Sequence, residues 1–339
     1  MTRRTLLRLL PCAFLLLSHL ALAADATIRV QILSKYHPQQ LDITTRSRVF
    51  HLTPQTHLHW QFSAPLGEDI TVTVNNELQR VYRGNLTVDW DGDEYRIENK
   101  TPLEVYVAGV VVGELGADSE VELIKAQAVL ARTYALKVGA REPLSDLAYH
   151  QVFAGFDVYA RRRYAITLQT RGEVLLRAGE LAAALFHAEC GSAIYFAGQF
   201  WPTADKRRAL PLPVGVSVGA PWQVMLTDAQ LAEVFPDVEQ LVLLARQPVV
   251  VDIGARQIGL ESFRLQVNRR FGWNRLPSNE FSVERLRDGW LLRGRGRGHL
   301  VGMCQRQAGE LARNGIGYRG ILALFYPESE VSGVSDLNP

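Results

Sequence analysis

Apolar and polar positions along the chain follow two different periods. Between residues 26 and 98 they alternate in short runs. Ile70-Thr-Val-Thr-Val74 is β-branched and closes on Asn75-Asn76, a turn signal. Leu86-Thr-Val-Asp-Trp90 alternates, Asp91-Gly92 follows as a hairpin turn, and 95–97 reads as the return strand. At Thr101 the period changes. Thr101-Pro102-Leu103-Glu104 combines an N-cap Thr, a Pro at the first helical position and a Glu at the third. Residues 103–115 are apolar almost all round, which predicts a buried helix ending near Gly116. Ser119-Glu-Val-Glu122 reads as a second capping box, opening a helix that runs to about Lys137, before Gly139.

A loop-like stretch then extends to about residue 160. Strand signals return at 165–168, 174–176 and 182–187. The Pro-rich segment 200–222 reads as a surface loop, and 228–245 carries a helical pattern. Short strands at 281–284 and 289–293 lead into Gly294-Arg-Gly-Arg-Gly-His299. A helix is predicted over 304–313, closed by Asn314-Gly315, and another over 318–325, stopped by Pro327. There is no internal repeat. The fold class expected is α+β: a β-rich region over 24–96, a mixed core over 97–330 with a buried helix pair and short antiparallel strands, and a tail over 331–339.

The first 23 residues stand apart. Met1-Thr2-Arg3-Arg4 is basic, 6–22 is mostly apolar, and Ala21-Leu22-Ala23 fits a cleavage site, so this segment is expected to be a secretory signal peptide. Pro11, Ser18 and His19 interrupt it, which argues against a permanent span, and no later stretch is long and apolar enough to cross a membrane. The expected location is the periplasm or the wider cell envelope. The whole chain, 339 residues, carries 37 Lys and Arg against 35 Asp and Glu. Without Arg3, Arg4 and Arg8 the formal charge falls from +2 to −1. A near-neutral mature chain argues against nucleic acid as a partner, since that needs many phosphate-neutralising side chains. Export would leave Cys190 and Cys304 in a disulfide-permissive compartment, where paired and free thiols are both open.

Four segments carry candidate chemistry. Glu114 ends an otherwise apolar helix: if buried there, desolvation and the helix dipole both favour the protonated acid, as a general acid requires, whereas the pattern alone more often means a solvent-exposed Glu at a frayed helix end. In the second helix Gln127, Ala131 and Tyr134 share a face, with Arg132 beside it. Polar groups among alanines either satisfy the core or line a cleft. Phe186-His-Ala-Glu-Cys-Gly-Ser192 gathers metal-ligand and nucleophile types. Strand alternation there puts His187 and Glu189 on one face and Cys190 on the other. The fourth, Gly294 to Gln305, is Gly-rich but completes neither a P-loop nor a dinucleotide fingerprint.

Taken together and in order, these segments resemble the SpoIID/LytB family. The match reads Leu103-Glu-Val-Tyr-Val-Ala-Gly-Val-Val-Val-Gly-Glu-Leu115, then Glu122 to Ala135, Phe186 to Ser192, Gly294 to Gln305, and Tyr318-Arg-Gly-Ile-Leu-Ala-Leu-Phe-Tyr-Pro327. Tyr82-Arg-Gly-Asn-Leu86 is similar to the family's lead-in, so the resemblance covers roughly residues 80–330. It implies an exported lytic transglycosylase acting on peptidoglycan glycan strands, preferably stripped of stem peptides, and leaving 1,6-anhydro ends. Glu114 would be the single catalytic acid/base. Gln127, Arg132, Tyr134, His187, His299 and Gln305 match motif positions expected to bind substrate or hold Glu114. No cofactor and no metal are implied.

The chain also departs from the family. Ser145-Asp-Leu-Ala-Tyr-His-Gln-Val-Phe153 lacks both cysteines of a zinc element found in some members, so no structural zinc is expected. Arg297 stands for an aromatic residue, Leu300 for Gly, Arg306-Gln307 for Trp-Gly, and Ser192 for a second Gly. The substitutions in the Gly-rich motif favour a second reading, a non-catalytic glycan-binding module that stimulates a cell-wall amidase. A third reading is a metal-dependent hydrolase using His187, Glu189, His299 and Cys304.

Overall fold

The computed structural model describes residues 26–54, 59–63, 67–147 and 149–337. The expected signal peptide lies outside them. The fold is α+β, with several small, mostly antiparallel sheets. Among the described residues no helix is long and apolar enough to cross a membrane. The chain divides into two compact units, one running to Ala184 and rejoined from Glu328, the other Leu185–Pro327.

The first unit opens with eight strands: β1 (Thr27–Ile32), β2 (Leu41–Thr44), β3 (Val49–Leu52), β4 (His59–Ser63), β5 (Asp69–Val74), β6 (Leu78–Arg83), β7 (Asn85–Trp90) and β8 (Tyr95–Pro102). Helices α1 (Leu103–Leu115) and α2 (Val121–Gly139), strand β9 (Leu144–Ser145), helix α3 (Val158–Thr167) and strands β10 (Glu173–Arg177) and β11 (Glu180–Leu181) follow. One sheet has the order β4-β7-β8-β1-β9 and another β3-β2-β5-β6. The alternation read at 70–74 sends Ile70, Val72 and Val74 inward, and the turn after them has Asn75 and Asn76 at positive φ. In the β7–β8 hairpin Asp91 Oδ1 accepts the N–H groups of Asp93 and Glu94 at 2.9 and 3.0 Å. Side chains from both sheets meet Tyr106, Val107 and Val110 of α1 in one core. Helix α1 therefore has no solvent face over its first nine residues, as its unbroken apolar pattern predicted.

Three local expectations change. Thr101 belongs to β8, opposite Ile28 of β1, so Pro102 rather than Thr101 is the N-cap. The box at Ser119 does not form. Ser119 Oγ donates to the Leu115 carbonyl, Glu122 pairs with Lys125 at 2.7 Å, and Glu120 is the N-cap. Residues 158–167 are helical, not a loop followed by a strand. Asp157 caps α3 by accepting the N–H groups of Tyr159 and Ala160, and Ala160 packs with Phe156 against Val105 and Ala108. The run Arg161 to Arg163 hides this helix, because it leaves no apolar period to read.

The second unit contains β12 (Phe186–His187), β13 (Ala193–Ile194), β14 (Leu210–Pro211), β15 (Pro221–Thr227), α4 (Asp228–Val234), β16 (Val238–Leu244), β17 (Val250–Gly254), β18 (Gln257–Gly259) and α5 (Leu260–Phe271). It ends with β19 (Phe281–Leu286), β20 (Gly289–Arg295), β21 (Met303–Cys304), α6 (Gln305–Arg313) and α7 (Tyr318–Phe325). The helical pattern read over 228–245 splits in two. Pro236 bars Phe235 from helical geometry (φ −132°, ψ 85°), and 238–244 pairs with β17 as a strand. The strand signal at 182–187 contracts to β12, which pairs in parallel with β21. Phe235 and Phe263 stack at 5.1 Å within this unit's core.

Candidate functional site

The predicted residues lie in both units. In the first unit, Glu114 occupies the last turn of α1. Gly109 and Gly113 leave one face of that helix bare, and the extended segment 152–155 lies directly against it. A Cβ on Gly113 would stand 2.2 Å from the Val152 carbonyl oxygen, and one on Gly109 2.4 Å from that of Gly155. This approach lets the Val152 N–H donate to Glu114 Oε1 at 2.7 Å. The carboxyl is half-buried. Burial raises its pKa from 4.5 to about 7, and the Val152 N–H offsets only part of that rise.

The same segment is tied down on both sides. Tyr106 donates its phenol to Gln151 Oε1 at 3.1 Å, and the Phe153 ring packs between Tyr82 and Tyr106. The Ser145 N–H donates to His150 Nδ1 at 2.9 Å, and Phe153 N–H to the Asp146 carbonyl at 3.3 Å. The His150 ring lies 4.5 Å from that of Tyr149 and 6.2 Å from that of Tyr134. Tyr134 is half-buried, and burial pushes its phenol up to about 12.

Gln127 and Arg132 sit in the interior. Arg132 grips Glu104 with two parallel bonds, Nε to Oε1 at 2.8 Å and Nη2 to Oε2 at 2.7 Å, and donates Nη1 to the Glu173 carbonyl at 2.8 Å. Its guanidinium joins the start of α1 to α2 and β10. Sequence reasoning singled out Glu114 but missed Tyr106, Gln151 and the Val152 amide. The Gly-x-x-x-Gly spacing just before Glu114 was the signal available for a close backbone neighbour.

In the second unit, His187 and His299 face each other with ring centres 6.1 Å apart, and Trp201 lies 5.5 Å from His299. Both imidazoles are driven down to about 3, His187 by burial and then by His299, His299 by burial and then by Arg264. They are therefore neutral. Val301 fixes both tautomers: its carbonyl accepts from His187 Nδ1 at 3.2 Å, and its N–H donates to His299 Nδ1 at 3.1 Å. Gln305 is the first residue of α6 and is half-buried.

Cys190 and Cys304 form a disulfide, Cα to Cα 5.3 Å, which decides the alternatives left open by the sequence. The strand alternation read through 187–190 does not persist beyond His187. His187, Cys190 and Cys304 bring their ligand atoms within 4.8 Å of one another. Both sulfurs are bonded to each other, so neither is the thiolate a metal needs. Glu189 turns instead toward Arg297 at 3.6 Å and Arg306 at 3.9 Å, two of the residues by which this chain departs from the family pattern. A third, Leu300, holds φ +67°, a conformation that costs a non-glycine residue about 1–2 kcal/mol and is offset here by complete burial of its side chain.

Comparison with known proteins gives the same family from sequence similarity. The model described as Stage II sporulation protein matches residues 91–176. Stage II sporulation protein D of Bacillus amyloliquefaciens is 27% identical over 274 residues, covering 70% of this chain and 77% of the relative. These matches agree with the resemblance to the SpoIID/LytB family. An uncharacterized protein of Brachyspira hyodysenteriae is 26% identical over 280 residues, covering 76% of this chain and 74% of the relative. The amidase enhancer of Bacillus subtilis is 32% identical over 97 residues, 28% of this chain and 13% of the relative. The span matched by the SpoIID model contains α1, α2, Glu114 and the 145–153 segment, all in the first unit.

Proposed function

We propose that the protein is an exported peptidoglycan lytic transglycosylase that uses Glu114 as its single acid/base. The observation that carries this reading is a half-buried carboxyl poised at about 7, one oxygen of which takes a backbone N–H. Near neutral pH such a group is populated in both protonation states, which suits an acid that must next serve as a base. Protonated Glu114 would donate to the glycosidic oxygen between N-acetylmuramic acid and N-acetylglucosamine. The resulting carboxylate would then take the proton of the muramyl 6-hydroxyl as its oxygen attacks C1. The N-acetylglucosamine leaves with the first proton, and the muramyl product closes to a 1,6-anhydro ring. An intramolecular nucleophile needs no second carboxylate to activate water and gains from proximity. Tyr134 is proposed to orient sugar hydroxyl and N-acetyl groups beside Glu114, and His187, His299 and Gln305 are proposed to bind glycan within the second unit, the histidines as neutral hydrogen-bonding rings. Arg132 and Gln127, being buried, would act by holding the helix pair.

The test is incubation of the mature protein, and separately Glu114→Gln, with glycan strands before and after peptide removal. Mass spectrometry is expected to find anhydro ends from the wild type alone, chiefly on stripped strands. The rate should fall as pH rises through about 7, where the acid loses its proton. New reducing ends would mean attack by water and a different mechanism. The similarity to an amidase enhancer supports a second reading, a glycan-binding module that stimulates a cell-wall amidase. Glycan binding and amidase stimulation unchanged by Glu114→Gln, with no new chain ends, would favour it.

A further inference from the structure

The amide that sets Glu114 belongs to a segment with its own internal fastening. Ser145 is anchored in β9, which pairs in parallel with β1 at Gln31. From that anchor its N–H reaches forward to His150 Nδ1 at 2.9 Å, while Leu147 N–H reaches back to Ser145 Oγ at 3.2 Å. These bonds tie Ser145 to Leu147 and to His150, and two residues after His150 the Val152 amide meets Glu114.

We propose that His150 is a positioning residue for Glu114: by accepting the Ser145 N–H it ties itself to Ser145 and holds the Val152 amide on the carboxyl. The proposal rests on the acid/base reading of Glu114 only for its catalytic consequence. The bond requires a neutral ring with its proton on Nε2. Tyr134 of α2, the adjacent Tyr149 and the carboxylate of Glu142 bear on that ring. Burial lowers the affinity of His150 for a second proton and outweighs the opposing attraction of Glu142, so the accepting form persists at neutral pH. Releasing this bond would free Val152 from Glu114 Oε1, and the carboxylate would lose the one hydrogen bond that favours its charged form.

The protonation midpoint of Glu114 is read by infrared difference spectroscopy on the mature protein, with Glu114→Gln as the blank. His150→Phe keeps the ring's bulk and removes the acceptor. It is expected to bind the Glu114 proton roughly three- to tenfold more tightly than wild type, moving the midpoint up. His150→Asn, whose Oδ1 replaces Nδ1, is expected to restore the wild-type midpoint. An unchanged midpoint in folded His150→Phe, or equal midpoints in the Phe and Asn variants, overturns the proposal. Should His150→Phe fail to fold, amide exchange in the wild type decides. Loss of protection at Ser145 and Val152 together, as the imidazole protonates, supports it, and protection at Val152 that outlasts Ser145 overturns it. Glycan cleavage is followed in parallel: a wild type that makes no anhydro ends refutes the catalytic reading alone, since the midpoint comparison needs no turnover.

Discussion

Replacing Glu114 with Gln removes one titration from the folded protein and little else, because Gln keeps an acceptor for the Val152 N–H. In the wild type the folded-state pKa is raised from 4.5 to about 7, so the native state binds this proton more tightly than the unfolded chain. The resulting stabilisation is full below about 4.5 and is lost as pH rises through about 7. Each tenfold difference in proton affinity is worth about 1.4 kcal/mol, which sets a ceiling of roughly 3 kcal/mol on the change. Solvent screening at a half-buried carboxyl reduces the expected value to about 1–2 kcal/mol. Urea unfolding of both proteins at several pH values between 4 and 8.5 measures it. The stability of Glu114→Gln relative to wild type should climb across the window from about 4.5 to 7 and level off above it. A difference that is flat with pH would refute the reasoning, because it would mean Glu114 titrates alike in folded and unfolded chains. A variant destabilised most at high pH would show the shift to have the opposite sign.

Gly113→Ala sets helix propensity against contact. Alanine gains about 1 kcal/mol in a helix interior, but its Cβ would sit 2.2 Å from the Val152 oxygen and force that segment away at a cost of about 1–3 kcal/mol. A net loss of stability of about 1 kcal/mol, with loss of the native Glu114 titration, is expected in chemical denaturation, and a stabilised variant would contradict the packing described. Arg132→Met leaves Glu104 buried and unpaired and should cost about 3–5 kcal/mol in the same assay. Adding Glu104→Leu should recover much of that, and no recovery would mean the pair's charges are not the cause. Reducing Cys190–Cys304 opens a cross-link spanning 114 positions and should lower stability by about 2–4 kcal/mol, read as a lower urea midpoint with reductant present. An unchanged midpoint would show that the link does not restrain the unfolded chain.

Local signals in the sequence accounted for much of the architecture. Helices α1, α2, α6 and α7 were legible from apolar period and from the glycines and Pro327 at their ends, because those effects act within a few residues. Glu114 stood out as a lone acid at the end of an apolar helix, but that pattern fits an exposed acid at a frayed end equally, and the packing of segment 152–155 is what buries it. Signals failed where tertiary contacts compete. Thr101 was drawn into β8 by its pairing with β1, Ser119 turned to the α1 carbonyl it follows, and an arginine-rich stretch became α3 because its few apolar side chains pack on α1. What the sequence by itself determined was the alternation of elements and the chemical types placed at their ends. The tertiary structure decided what those types do. It brought the Val152 amide to Glu114 across 38 positions, turned Arg132 inward onto Glu104 across 28, and joined two cysteines across 114. Periodicity and turn chemistry are properties of neighbours, whereas such partners are chosen by how whole elements pack.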